Sequence, residues 1–327
     1  MKQDLSLADR SSGLQITSVG IGDIVQSSSK DIKKRQGLLE EDTSSLDKSM
    51  RLAVLMTCFN RRSMTLKSLD SLFSQKHVQG LNLTVYLVDD GSSDGTGQAV
   101  MQRFPQVILL EGDGSLFWNG GMRKAFAAAL DIGFDGYIWL NDDTELEVDA
   151  LHRLIKCSMD IGDRPGSTIV VGSIRDPYTG ERSYGGVHKR KSGLRLDFVP
   201  QLPDDSHALR CDTMNGNFTV IPAAVAARLG NLDDAFKHQL GDFDYGLRAT
   251  KAGIPIFIAP GYFGYCSDNP RSGTWRDTTL SLRQRWRHLV SPKGAPPREW
   301  LLYTRRHFGW RWPLYSVSPY LKSIIRL

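Results

Sequence analysis

The sequence predicts an α/β fold built on a mainly parallel sheet with helices on both faces. Three observations carry that expectation. From Arg51 onward, short apolar runs alternate with segments of helical period, in the order β-α-β-α-β-α-β-α. The runs are apolar throughout rather than alternating, as strands covered on both faces must be. Each run also ends in a polar cluster, the place where open α/β sheets bind ligands.

The elements follow in order. "RLAVLMTCF" is the first strand, and "SMTLKSLDSLFSQ" the first helix, with Leu66, Leu69, Leu72 and Phe73 at helical spacing. "LTVYLVDD" and "DGTGQAVMQRF" form the second strand and helix, and "QVILLEGD" the third strand. "GMRKAFAAALDIG" is an Ala-rich helix stopped by Gly133. "GYIWLNDD" is the fourth strand and "EVDALHRLIKCSM" an amphipathic helix. Beyond about residue 165 the rhythm changes. "STIVVGSIRD" reads as a strand, "DPYTGERSYGG" and "KRKSGLRLDF" as turns and hairpins, and "PAAVAARLG" and "GDFDYGLRATKAG" as helices. "IPIFIAPGYFGYC" closes the domain as a strand.

Composition sets the frame. The chain has 327 residues, 40% hydrophobic and 24% charged, ordinary for a globular protein with a sizeable core. Residues 1–50 are polar and without period and are expected to be disordered, with 1–49 either dispensable or an artefact of an upstream start site; 51–266 form the main domain and 267–327 a basic, helical extension. The N-terminus lacks the apolar core of a secretory signal, and no apolar run approaches the roughly 18–20 residues of a bilayer span. Cys58, Cys157, Cys211 and Cys266 lie far apart with no CxxC pair, which argues against a zinc site and for reduced thiols in the cytoplasm.

Four polar clusters stand at strand ends: "TCFNRR", "DDGSSDGT", "GDGSLFWNGG" and "NDD". None is a GxxxxGK[ST] phosphate loop, and "GSSDGTG" does not fit GxGxxG. Asp94, Gly95 and Thr96 read as a turn leading into a helix. Asp89 and Asp90 can accept hydrogen bonds from a nucleobase or ribose, or serve as turn acids. Asn141, Asp142 and Asp143 can hold a hard divalent ion against a diphosphate, or cap the following turn. In "HQLGDFDYGLRATKAG", Asp242 is a candidate general base, and His238 a metal ligand, an orienting partner or a structural histidine. Asp244 is spaced for an ion pair with Arg248. Gly216, beside Asn215, permits close backbone approach to a ligand or simply a turn.

Taken together, "TCFNR", "VDDGSSDGT", "WLNDDTEL" and "GDFDYGLRATKAG" resemble family 2 glycosyltransferases over residues 52 to about 266. The resemblance implies a GT-A fold, a nucleotide-sugar donor (UDP- or TDP-sugar), Mg²⁺ or Mn²⁺, and inversion at the anomeric carbon. It places Thr57, Phe59, Asn60, Arg61 and Asp89 in the nucleotide pocket, with Asp90 adjacent. Asp143 would hold the metal, with Asp142 close to the sugar or the metal, and Asp242 would be the catalytic base. Trp118, Asn119, Gly120 and Gly121 would shape the donor pocket, unless Trp118 is a core aromatic, and Asn215 and Gly216 would face the acceptor. Two departures stand out: Gly241 replaces the usual Glu before Asp242, and "WNGGMRKA" resembles a subset tied to bacterial surface polysaccharides, rhamnosyltransferase-like members included.

The net charge of +5 is uneven: residues 271–327 sum to +10 and the rest to −5. Five of the seven tryptophans lie within 275–312, interleaved with arginines. That end either meets an anionic membrane carrying a lipid-linked acceptor, at the inner face of the cytoplasmic membrane, or packs on the domain or a second subunit. Two other readings compete. One is a nucleic-acid- or membrane-binding protein with an α/β scaffold, but acids clustered at strand ends would repel a nucleic acid. The other is a sugar nucleotidyltransferase, which lacks its Gly-rich triphosphate loop here.

Overall fold

β1 (Met50–Cys58) lies at the centre of the sheet, which is why seven of its nine residues are buried. β2 (Leu81–Asp89) and β4 (Gly136–Leu140) flank it in parallel, and β3 (Ile108–Glu111) extends β2 at one edge. The structure, a computed structural model, describes residues 49–161, 166–192, 195–268 and 272–325. The expectations for the N-terminal segment therefore fall outside the described residues. Beyond β4 come β12 (Phe218–Pro222), antiparallel to both neighbours, then β6 (Ile169–Arg175) and β13 (Ile256–Tyr265), parallel to each other. β10 (Leu209–Cys211) closes the far edge antiparallel to β13. The order is β3-β2-β1-β4-β12-β6-β13-β10, with β5 (Glu145–Leu146) paired to β13 and β7 (Arg182–Tyr184) to β6. β8 (Gly186–Ser192), β9 (Arg195–Pro200) and β11 (Thr213–Met214) make a small second sheet.

The side-chain period of two splits the core into two layers. Leu52, Val54 and Met56 face one way, against α1 (Arg62–Phe73), α2 (Thr96–Arg103) and α4 (Ala150–Asp160) through Leu69, Val100, Leu151 and Leu154. Ala53 and Leu55 face the other way, against α3 (Phe117–Ile132), α5 (Ala223–Leu229) and α6 (Gly241–Lys251) through Met122, Phe126, Val225 and Tyr245. This is the mainly parallel, doubly covered sheet that the sequence predicts.

One detail differs from expectation. α3 begins at Phe117, four residues before the expected start, so Trp118, Asn119 and Gly120 are helical rather than looped. The cause is Asp90, whose carboxylate accepts the N–H groups of Gly114, Leu116 and Phe117 and so anchors the helix start. The C-terminal helices also share a core with the main domain. α7 (Leu282–Leu289) starts at a Ser281–Gln284 capping box, and α8 (Pro297–His307) has Pro297 in its first turn. A short 3₁₀ turn leads from α8 into α9 (Trp312–Ile325). Tyr303 and Phe308 pack with Phe236 and Leu247, so this end is seated on the domain. Among the described residues no helix is long and apolar enough to cross a membrane, and all four cysteines are free.

Candidate active site

The loops at the carboxyl ends of β1, β2, β3 and β4 converge. Asn60, at φ 51°, joins two of them: its N–H donates to Ser92 Oγ (2.9 Å), and its Oδ1 accepts the Ser93 N–H (2.8 Å). Ser92 and Ser93 line a groove of about 570 Å³, together with Asp89, Gly97, Leu109 and Glu111. Asp89 accepts the Ser92 N–H at 3.0 Å. A Cβ at Gly97 would sit 2.5 Å from Asp89 Oδ2, so a larger residue there must displace that carboxylate. Phe59 stands half exposed on the same loop. Asp94 caps the turn as its sequence context suggests, accepting from Thr96 and from the Arg62 N–H.

Arg61, next to Asn60, links that loop to the acids after β4. Its guanidinium reaches Asp143 Oδ2 at 2.5 Å and Asp142 Oδ1 at 3.2 Å. Asp142 is buried, and its other oxygen lies 3.4 Å from the Thr65 hydroxyl. Burial pushes its pKa up to about 7, the Arg61 charge opposing and the Asp143 charge adding to the rise. Asp143 Oδ1 is buried and accepts no well-formed hydrogen bond. The Cys266 thiol, a weak donor, lies beside this carboxylate; burial first and Asp143 second raise the thiol's pKa.

These residues fit a hard divalent ion of one kind only. Among the described residues no three His, Cys, Asp or Glu side chains form a ligand group. An ion that keeps waters and diphosphate oxygens needs just one or two carboxylates, and the orphaned Asp143 Oδ1 is suited to that. His238 is not grouped with it. Its Nδ1 accepts the Trp118 N–H at 3.4 Å, its ring packs edge-on to Phe117, and burial, then Lys293 and Arg61, lower its pKa to about 4. The expectation of a His238 metal ligand therefore gives way to a neutral histidine holding the start of α3.

Trp118 connects the acid pair to Asp242. Its Nε1 donates to Asn141 Oδ1 at 2.7 Å, and its ring lies so close to Gly216 that a Cβ there would be 2.7 Å away. The Gly216 N–H donates to Asp242 Oδ2 (3.2 Å), and the Phe243 N–H to Oδ1 (2.8 Å). Asp242 lies in the first turn of α6, where the helix N-terminus favours an anion. It keeps some solvent contact, yet protein crowds around it. Burial, outweighing the two N–H groups, pushes its pKa up to about 6. A carboxylate poised so near neutrality suits proton removal.

Several residues expected at the donor or acceptor make contacts within the fold. Asp90 is buried and spends both oxygens on the loop before α3. Gly121 lets α3 close on β1, since a Cβ would overlap the Thr57 hydroxyl. Gly120 packs against Leu116, and Asn215 exchanges hydrogen bonds with Gly185. Asn119 is fully buried; its Nδ2 donates to the carbonyls of Asp233 (2.9 Å) and Phe236 (2.6 Å). Its Oδ1 occupies the space that any side chain at Gly241 would need. The two departures from the family pattern are thus one packing solution.

Sequence reasoning missed the base of the site. Asp244 pairs with Arg248 (2.9 Å) as its spacing suggests, but also with Arg306 (2.8 Å) and His307 (2.7 Å) from α8. Tyr303 is buried beside the charges of Asp242 and Asp244. No local signal links residues 244 and 306. The arginines interleaved with tryptophan were the only hint, and they left membrane contact and packing on the domain both open.

The site thus combines a mainly parallel sheet, paired acids after β4 and a raised-pKa carboxylate opening α6. Residues 53–219 match glycosyl transferase family 2, just over half of the chain, and the chain belongs to that family. It is 25% identical over 201 residues to the N-acetylglucosaminyl-diphospho-decaprenol L-rhamnosyltransferase of Mycobacterium tuberculosis, in strains CDC 1551 and H37Rv alike. That match covers 54% of this chain and 64% of those relatives, so the chain spans less than two thirds of their length. A crystal structure of S. aureus TarS residues 1–349 with UDP aligns at TM-score 0.49 and 15% identity, over 80% of this chain and 72% of that one.

Proposed function

We propose that the protein transfers a sugar from a nucleotide-diphosphate donor to a hydroxyl of a lipid-linked glycan acceptor, with inversion, during assembly of a bacterial surface polysaccharide. The observation that carries this reading is Asp242: a carboxylate raised to about 6, fixed by two backbone N–H groups, and joined through Trp118 to Asn141 and the acid pair. The mycobacterial relatives support a deoxyhexose donor and a polyprenyl-diphosphate acceptor.

The groove beside Asp89 takes the nucleoside, with Asn60 holding its Ser92 and Ser93 in place. Arg61 faces the diphosphate. Asp143 would hold Mg²⁺ or Mn²⁺, which supplies charge to offset the leaving diphosphate. Asp242 takes the proton of the acceptor hydroxyl as that oxygen bonds to the anomeric carbon. The bond from that carbon to the diphosphate oxygen breaks on the opposite face, its electron pair leaving with the nucleoside diphosphate. Asp90, Asn119 and Asp244 position these groups without touching substrate.

The test is a panel of UDP-, TDP- and GDP-sugars with a polyprenyl-diphosphate N-acetylglucosamine acceptor and Mn²⁺, followed by nucleoside diphosphate release. One donor should give acceptor-dependent release. Pyrophosphate release from a sugar phosphate and a nucleoside triphosphate would instead identify a nucleotidyltransferase.

A further inference from the structure

We propose that the outward face of α9, with the 3₁₀ turn before it, docks on an anionic phospholipid bilayer. The inference deepens the lipid-linked acceptor reading and rests on it for its purpose, but not for its evidence. Trp310 is 75% exposed, Leu314 57%, Val317 47% and Leu321 51%. Spacings of four, three and four place them on a single helical face. Trp286 of α7, also exposed, adjoins the face through its ring contact with Tyr320 at 5.9 Å.

This face is not left open for want of a partner inside the fold. The inner side of α9 is already seated: Trp300 Nε1 donates to the Tyr315 carbonyl (2.9 Å), the Tyr315 ring packs on Phe308 (4.7 Å), and Tyr320 donates to the Ala295 carbonyl (2.8 Å). Charge selects the occupant. No acidic residue follows Glu299 in the sequence, and Glu299 itself accepts the Lys237 N–H. Arg283, Arg287, Arg305 and Lys322 are exposed on these helices. An apolar stripe with aromatic ends, on helices whose exposed charged side chains are cationic, matches the headgroup layer of an anionic membrane. At fourteen residues α9 is too short to span a bilayer, so it lies on the surface. Because α8 carries both the seat of α9 and the Arg306–His307 contacts to Asp244, the docked face is rigidly tied to the helix bearing Asp242.

The experiment is flotation of the full chain with phosphatidylglycerol–phosphatidylcholine vesicles and with phosphatidylcholine alone, without donor or acceptor. Binding to the anionic vesicles should exceed binding to neutral ones by at least about tenfold and weaken in high salt. Leu314→Glu/Leu321→Glu should cut it by at least about tenfold while Tm stays unchanged; Trp310→Ala, a gentler change, should cut it severalfold. Equal binding by wild type and both variants would overturn the proposal. So would no vesicle binding by wild type, or loss of a dimer or of DNA binding in the variants with vesicle binding intact. Vesicle binding is scored without turnover, so failure of the transferase reading would be seen separately.

Discussion

A methyl group on Gly241 would overlap Oδ1 of Asn119, and that overlap explains two unusual residues at once. Gly241→Ala should therefore force the buried amide aside, costing about 1–3 kcal/mol and disturbing the neighbouring Asp242. Coupling with Asn119→Ala in a double-mutant cycle checks this: the pair should cost less than the sum of the singles. At Asp242 itself the sign of the pH dependence is fixed. The base must be ionised, and its pKa is raised from 3.8 to about 6, so kcat/KM should fall about tenfold per pH unit below that value. The folded chain also holds this proton more tightly than the unfolded one. Its contribution to stability is therefore present at low pH and lost as pH rises through about 6. A rate profile flat from pH 5 to 8 would exclude Asp242 as the base. Sequence alone placed Asp242 and the Asn141–Asp143 string at strand and helix ends. It could not show that Asn119 and Asp90 turn inward, because burial depends on distant packing.

Among the elements, the union of α6 with α8 matters most. Asp244 is wholly buried between Arg248, Arg306 and His307, and removing one partner from such a cluster strands charge in the interior. Asp244→Ala should cost about 3–5 kcal/mol, lowering Tm by roughly 10 °C, even though Arg306 keeps Asp233 at 2.8 Å. Burial lowers the His307 pKa despite its contact with Asp244, so unfolding takes up a proton below the ordinary histidine range. Burial tends to raise the Asp244 pKa, but hydrogen bonds from His307 and Arg306 outweigh it and hold it low. Both groups therefore remove stability as pH falls, His307 below its ordinary value of 6.5, where Asp242 works the other way, and Asp244 only below the ordinary carboxylate value of 3.8, so the drop that urea titrations should register lies below about pH 4. Continuous apolar runs made β1, β2 and β4 legible. β12 was harder to place: five buried residues say nothing of direction, and it enters antiparallel between β4 and β6. The start of α3 was misplaced because Gly120 and Gly121 look like turn residues until their close packing is seen.

For the whole molecule, a groove by Asp89, an acid pair by Arg61 and the Asp242 carboxylate on α6 are joined through Asn60, Arg61 and Trp118 at the carboxyl ends of the strands. A true donor should stabilise the folded chain by about 2.7 kcal/mol at a hundred times its Kd, a Tm rise of roughly 5–10 °C. Chelation with EDTA should reduce that rise, and Asp143→Ala should abolish its metal-dependent part. The alternation of strands and helices fixed this surface in the sequence. The clamp from the C-terminal helices did not appear there, since it depends on contacts more than sixty residues apart.

The most direct measurement pairs donor binding by calorimetry with turnover in Asp242→Asn. The account predicts transfer lowered by at least about a thousandfold with donor Kd within roughly threefold of wild type. Transfer at a near wild-type rate would contradict it.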